Sequence, residues 1–563
     1  MRELLSGAEI LCRTLRDAGV DVLFGYPGGA IMPFYDALVG HPGLRHILVR
    51  HEQAAAHAAD GYARAGNRVG VCVATSGPGA TNLVTGLAAA HMDGSPVLAI
   101  TGQVARPMLG RDAFQETDVI GVTMGVTKHS VLVGDVTELA DAVREAMAIA
   151  VAGRPGPVLV DIPKDVQNQK AEYNKVSGAG GQVPESSRHP TPDTASFEDA
   201  IQEAARLIAQ AERPLLMIGR GVIVSDAYAE VRTLAERTGM PVITTLLGIS
   251  AFPQAHELHL GMPGMHGEVH VNRAIQTADV IVGIGLRFDD RVTGNTATFA
   301  PRATIVHIDI EAAAIGRNVR AAVGIVGDAR TVLARLLPLV GPRECRCWRE
   351  EIGEWRRPCD EAFAGELSPD TILATLADVT DGAGTIVSDV GQHQMWVAQR
   401  YPFQRPNTHI TSGGLGAMGF AVPAAMGVHL ARPEQPVWAI SGDGGFQMNM
   451  AEMATMVQER LPVKLAIFNN GYLGMVRQWQ QFFHGGRYAC TPIWSPDYVK
   501  LAGAYGIPGW RVEQASALAD VLRAANGVPG PALVELVIEQ EANVFPMIVP
   551  GGSLSEPLET APV

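Results

Sequence analysis

The sequence predicts an α/β protein of three doubly wound parallel-sheet domains. Apolar runs of strand length alternate with helical patterns through most of the chain, and two polar stretches interrupt them. Alternation of this kind places parallel strands under helices on both faces. The length of 563 residues agrees, being several times the ~100 to 200 residues of a typical domain.

The start, MRELLSGAEILCRTLRDAGVDVLFGYPGG, carries charges at regular intervals among its apolar positions and reads as an amphipathic helix leading to a strand, not as a signal peptide. In the first block (1–167), VGVCVAT, SPVLAITG and GPVLVDIP read as buried strands, with LVTGLAAAHMDG and LADAVREAMAIAVAG as helices between them. A Gly-, Pro- and Ser-rich linker is expected over 168–194. The second block (195–335) holds RPLLMIG, DVIVGIG and TIVHIDI as strands. An irregular, charged connection is expected over 336–367. The third block (368–563) holds GTIVSDV, PVWAISGDG and VKLAIFNN. One repeated fold is a possibility, although no clean sequence repeat is visible.

Composition excludes some partners. A net charge of -14, without a Lys/Arg-rich block, does not suit nucleic acid. No uncharged apolar run approaches the ~20 residues of a membrane span. Six cysteines without a C-x-x-C pair read as reduced thiols of a cytoplasmic protein, with zinc at Cys345, Cys347 and Cys359 as a minor alternative.

Ligands of open parallel sheets sit beyond the carboxyl ends of the strands. Strand PVWAIS leads into Gly442-Asp443-Gly444-Gly445, and VKLAIF ends at Asn469-Asn470. An Asp and an Asn there offer hard oxygen ligands to one Mg²⁺, and the glycines let backbone N–H groups reach phosphate. GDG and NN bounding 29 residues resembles the thiamine diphosphate motif. In the first block Glu52 precedes an Ala-rich helix. Alone it reads as a first-turn glutamate favoured by the helix dipole. Beside a thiamine pyrimidine ring, a carboxylate would instead drive the tautomerisation that activates the cofactor. A third feature, GLGAMG at Gly414 to Gly419, follows the apolar ITSG and fits the G-x-G-x-x-G pattern of a nicotinamide dinucleotide loop.

From Leu11 nearly to Gly552 the chain resembles the catalytic large subunits of the acetolactate synthase (acetohydroxyacid synthase) family. FGYPGGAIMP, RHEQAAAHAADGYARA, ATSGPGATNLVTGL, DAFQETD, TKHS, GRPGPVLVDIPKD, GMHG, RFDDRVTG, HIDI, VGQHQMW, TSGGLGAMGF, SGDGGFQMN and NNGYLGMVRQWQ occur in the family's order. Individually GDG or G-x-G-x-x-G is weak; thirteen ordered segments are specific.

The resemblance implies thiamine diphosphate, Mg²⁺ and a structural, non-redox FAD. Glu52 would be the activating glutamate. Asp443, Asn470 and the main-chain carbonyl of Tyr472 would bind the metal, with Val390, Gly391, Gln392, His393, Gly444, Gly445, Leu473, Gly474 and Met475 around the diphosphate. Gly416 would admit the aminopyrimidine and Met418 would bend the cofactor, which makes GLGAMG a mimic of a dinucleotide loop. Gly29, Gln115 and Lys128 would approach from the partner subunit, and Trp479 would wall the acceptor pocket. Arg154, Gly219, Gly221, Thr245, Leu246, Gly264, Met265, His266, Gly285, Arg287, Asp289, Arg291, Asp309, Ile310 and Asp328 would hold FAD.

The implied partners are small 2-oxo acids, a homodimer or tetramer with active sites at the subunit interface, and a small regulatory subunit. Pyruvate oxidase and glyoxylate carboligase types are the alternatives within the fold. Ala105, Gly471 and Gly94 depart from the family pattern.

Overall fold

The computed structural model describes residues 3–173, 194–356 and 367–562. Three six-stranded sheets organise it, and all of their pairings are parallel. In spatial order the first runs Arg45–Leu48, Val22–Gly25, Gly70–Ala74, Val97–Gln103, Val158–Pro163, His129–Leu132. The second runs His259–Gly261, Val242–Thr244, Pro214–Ile218, Val280–Ile284, Thr304–Asp309, Val323–Val326. The third runs His409–Thr411, Thr385–Ser388, Val437–Gly442, Lys464–Asn469, Ala532–Val537, Gly509–Val512. Numbered along the chain within each sheet, the first and third share the order 2-1-3-4-6-5, while the second is 3-2-1-4-5-6. The outer domains therefore repeat one topology, although their sequences show no repeat.

Each predicted strand overlaps one of these elements, because central strands such as Val97–Gln103 and Pro214–Ile218 are buried along their whole length and are therefore mostly apolar. Departures occur at the connections. In the expected linker, Lys170–Tyr173 pairs antiparallel with Glu3–Ser6, closing the first domain at its chain entry; residues 174–193 lie outside the described residues. In the charged connection, Arg346–Trp355 is a helix, with Trp348 and Ile352 buried four residues apart on one face. Trp348 donates its indole N–H to the Pro214 carbonyl at 3.2 Å, and Arg213 lies over its ring.

The first and third domains meet along two helices, Glu52–Gly66 and Ala421–Ala431, each following the second strand of its sheet. Both are lined by alanine and glycine at the contact. A Cβ built on Gly61 would lie 2.2 Å from the Ala424 carbonyl oxygen, and one on Gly427 would lie 1.9 Å from that of Ala58. The backbones touch, so only glycine fits.

Buried charge fastens the same junction. Arg64 donates to Asp60 (2.7 and 2.8 Å), Asp93 (2.9 Å) and the Thr411 carbonyl (2.7 Å), all three side chains being almost fully buried. Asp93 in turn accepts the Gly413 and Gly414 N–H groups at 3.1 and 2.6 Å. This network sets where the glycine-rich loop before Met418 begins.

Five cysteines are free, Cys12, Cys72 and Cys345 buried and Cys347 and Cys490 exposed; Cys359 lies outside the described residues. Among the described residues no cluster of His, Cys, Asp or Glu has metal-site geometry, and no helix is long and apolar enough to cross a membrane.

Candidate active site

Four loops at the carboxyl ends of adjacent strands of the third sheet converge. They follow His409–Thr411, Thr385–Ser388, Val437–Gly442 and Lys464–Asn469. The first chain-order strand of this sheet lies between the second and third, which makes this the switch point where open α/β sheets take ligands.

Helix Asp443–Asn449 starts at the aspartate itself. Asp443 is 1% exposed; its carboxylate accepts the N–H groups of Gly444 (3.0 Å) and Gly471 (2.9 Å) and a hydroxyl from Ser495 (3.3 Å). Burial nevertheless pushes its pKa up to about 6. A buried carboxylate this reluctant to ionise is one that a cation would relieve. Asn470 is beside it in chain and space: Gly471, which follows it, makes the bond to Asp443, and Asn470 Oδ1 accepts the Tyr472 N–H at 3.2 Å. Gly471 has φ 69°, which glycine adopts without strain.

His393 contributes an unsatisfied atom. Its ring packs against Gly391 and Gly442, where built Cβ atoms would lie 2.9 and 3.1 Å from its Cε1, and its Nε2 is buried without a hydrogen-bond partner. Burial lowers its pKa to about 3, so the ring is neutral; its bond to the Asp389 main chain leaves Nε2 as the unpartnered nitrogen, open to a ligand between the two turns. An unpartnered ring nitrogen between two glycine turns, beside a buried carboxylate and the Asn470 amide, fits a diphosphate with its metal. Gln392, by contrast, spends its amide on Gln478 (2.9 Å) and the Ala542 carbonyl (2.7 Å).

Met418 projects over the GDG turn, its Cε 3.7 Å from a Cβ built on Gly444. Gly416 has φ 71° and no neighbour nearer than 3.8 Å to such a Cβ, which leaves its backbone approachable. Two buried groups that the sequence reading missed hold this turn. Asp389 accepts the Gly419 N–H with both carboxylate oxygens (2.9 and 3.1 Å), and Asn449 donates to the Gly419 carbonyl at 2.7 Å. Asn449 ends the quoted SGDGGFQMN and Asp389 lies in the strand segment GTIVSDV, but nothing in either segment shows that folding brings the two residues to this loop.

Glu52 opens its helix after an extended His51, whose Nδ1 caps the Gln53 N–H. Its Oε2 accepts from Asn82 Nδ2 at 2.9 Å, and its Oε1 lies 3.3 Å from a Cβ built on Gly79. These neighbours belong to the first domain, whereas those of Asp443 belong to the third. Nearby, Gly29 is exposed, and Gln115, at φ 60°, packs against Gly77. Lys128 is turned elsewhere: its ammonium donates to the Ile149 and Ala152 carbonyls at the end of helix Leu139–Val151, and burial lowers its pKa to about 8.

A cleft of about 2050 Å³ runs from Met418, Met475 and Trp479 into the second domain. There Gly219, Gly221 and Gly285 interlock, with built Cβ atoms 2.4 to 2.5 Å from facing backbone. Thr245, Leu246, Met265, His266, Asp309, Ile310 and Asp328 line the same cleft. Arg287 pairs with Asp289 at 3.3 Å, and Arg291 reaches the Met265 sulfur at 3.1 Å. Arg154 is engaged by Glu311 at 3.4 Å and the Met92 carbonyl at 2.8 Å, while Gly264 is held by Asn272. Arg220, between Gly219 and Gly221 in the turn expected to contribute to the flavin site, lines the cleft with a buried Nε that has no partner.

This architecture matches three family models: the N-terminal TPP binding domain of thiamine pyrophosphate enzymes at residues 5–122, the central domain at 201–336 and the C-terminal TPP binding domain at 389–536. The chain belongs to the thiamine diphosphate-dependent enzymes. It is 46% identical to the acetolactate synthase large subunit of Corynebacterium glutamicum over 98% of this chain and 90% of that one. Identity is 43% to acetolactate synthase isozyme 3 large subunit of Escherichia coli, over 98% of both chains. A probable acetolactate synthase large subunit of Methanocaldococcus jannaschii is 45% identical, over 99% of this chain and 96% of that one. Within the class, the chain is thus a member of the acetolactate synthase large-subunit family.

Proposed function

We propose that the protein decarboxylates pyruvate and joins the remaining two-carbon unit to a second 2-oxo acid. Pyruvate as acceptor gives 2-acetolactate; 2-oxobutyrate gives 2-aceto-2-hydroxybutyrate. Both are precursors of branched-chain amino acids. The observation that carries this is the convergence of Asp443, Asn470, the unpartnered His393 Nε2 and Met418 at one switch point.

Bound thiamine diphosphate supplies the carbon nucleophile and accepts the electrons released with carbon dioxide. Asp443, Asn470 and the Tyr472 carbonyl would hold Mg²⁺, with the glycine turns and the His393 ring around the diphosphate oxygens. Gly416 would admit the pyrimidine ring and Met418 would support the cofactor from below. Glu52 would be the carboxylate that holds or moves a proton at the pyrimidine ring. Trp479 bounds the acceptor and favours one extra methyl group by roughly 1 to 3 kcal/mol. Lys128 must release two helix carbonyls before it can meet a substrate carboxylate. The second domain holds FAD against the glycine interlock and Arg220, as a structural group, since the reaction moves no net electrons.

The working unit is a homodimer or a dimer of dimers, with Glu52 acting on cofactor held by the third domain of its partner. Glu52 and Asp443 have their neighbours in different domains, and large apolar side chains stand exposed around both: Phe114, Met124 and Met32 on the first domain, Trp494 and Met448 on the third. A small regulatory subunit and a cytoplasmic setting complete the proposal; the sparse, unpaired cysteines favour a reducing compartment.

The deciding experiment measures acetolactate formed from pyruvate with and without thiamine diphosphate, Mg²⁺ and FAD, beside Glu52→Gln. Activity without thiamine diphosphate, or full activity in the variant, would overturn the reading.

A further inference from the structure

Glu452 is a buried carboxylate with no place in the chemistry described so far. It ends the short turn Met450–Glu452, nine residues after Asp443 and directly after the helix that Asp443 begins, and it is 1% exposed. Its side chain reaches into the first domain of the same chain. Oε1 accepts the Arg50 N–H at 2.8 Å, and the carboxylate also takes the His51 N–H. These are the two peptide units immediately before Glu52.

Surrounding groups complete the clamp. Thr455 donates its hydroxyl to Glu452 Oε2 at 2.7 Å and lies 3.1 Å from the Leu48 carbonyl. The Arg50 guanidinium donates to that same carbonyl at 2.7 Å and to Gln458 at 2.9 Å. The strand end, the turn and the start of the Glu52 helix are thereby fixed to the third domain, with Glu452 holding the two main-chain N–H groups nearest Glu52. Buried carboxylates are costly unless their acceptor sites are filled, and here backbone N–H groups and a hydroxyl fill them.

We propose that Glu452 is a positioning residue for Glu52. It holds the peptide units that aim the Glu52 carboxylate, so the third domain of each chain sets the acid that its own first domain presents. The inference rests on the reading of Glu52 as the group that activates thiamine diphosphate. Under that reading Glu52 serves cofactor bound by the partner, while the segment from Asp443 to Glu452 begins at the chain's own metal site. One stretch of ten residues therefore touches both active sites of a dimer.

The test follows exchange of the C2 proton of bound thiamine diphosphate into D₂O, by acid quench and NMR, in the holoenzyme without substrate. Misplacing a reacting group by about 1 Å costs on the order of 100-fold, so Glu452→Ala is expected to slow exchange ~10 to 100-fold while the thiamine diphosphate concentration for half-saturation stays within about threefold. Glu452→Gln, which keeps one acceptor oxygen, is expected to fall between. In a Glu52→Gln background, Glu452→Ala should slow exchange no further, because the two act as one unit. Exchange at the parent rate in Glu452→Ala, or an equal added loss in the Glu52→Gln background, overturns the proposal. Should the alanine variant not fold, parent-like exchange in Glu452→Gln overturns it alone. If Glu52→Gln itself leaves exchange unchanged, the fault lies with the reading of Glu52 instead.

Discussion

Replacing Gly61 by alanine sets two effects of opposite sign against each other. In a helix interior, Gly→Ala gains about 1 kcal/mol from propensity. At Gly61, however, the added methyl carbon would stand 2.2 Å from the Ala424 carbonyl oxygen and 2.8 Å from its carbonyl carbon and Cα. All three are backbone atoms, so no rotamer change relieves them. Helices Glu52–Gly66 and Ala421–Ala431 must move apart by about 1 Å, which loosens the contacts of every alanine along the seam; overpacking of this kind costs ~1 to 3 kcal/mol or more. The net expectation is a loss of about 2 kcal/mol, read as a lower urea midpoint at unchanged slope. Gly353→Ala is the control, since that exposed helical glycine has no neighbour within 4 Å of its would-be Cβ and should gain stability by propensity alone. A Gly61→Ala midpoint equal to or above the parent's would refute the packing argument.

Three further outcomes are expected. Asp161, buried between Thr101 and Gln103, has its pKa raised to about 6 by burial. The folded state therefore binds its proton more tightly than the unfolded chain, and this contribution to stability, about 3 kcal/mol at most, is complete below pH ~4 and lost as pH rises through 6. Urea midpoints at pH 4.5 and 7 should differ less in Asp161→Asn than in the parent; equal differences would contradict this. Asp93→Ala leaves Arg64 with half its buried counter-charge and strips two backbone N–H partners from the loop before Met418, a loss of ~3 to 5 kcal/mol with weakened thiamine diphosphate binding, both measurable by cofactor titration and denaturation. Gly416→Ala forces a side chain to φ 71°, costing ~1 to 2 kcal/mol and raising the thiamine diphosphate requirement.

The sequence displays what is local. Val97–Gln103 and Lys464–Asn469 are legible because a strand buried on both faces is apolar at every position, and Asp443 and Asn470 are legible because a glycine turn and an Asn pair end such strands. Edge strands such as His129–Leu132 and Glu3–Ser6 are half exposed and carry no such signature; their pairing partners, not their composition, make them strands. The helix at Arg346–Trp355 is hidden by its charge, since Trp348 and Ile352 suffice to seat it. Asp389, Asn82, Glu452 and the Arg64 network were illegible for another reason. Apart from the Arg64–Asp60 pair on one helix, the partners that matter lie 29 to 402 residues away, so nothing in the local pattern marks them. GLGAMG is the reverse case, a local pattern that points to a dinucleotide while the surrounding loops build a different site.

The reciprocal glycine contacts carry one more consequence. Positions 58 and 61 of one helix correspond to 424 and 427 of the other, a constant offset of 366, across two sheets of identical strand order. The seam is thus symmetric in its demands: each helix presents a glycine where the other's alanine carbonyl arrives, so a side chain added on either side meets an equivalent clash and neither helix can be widened alone.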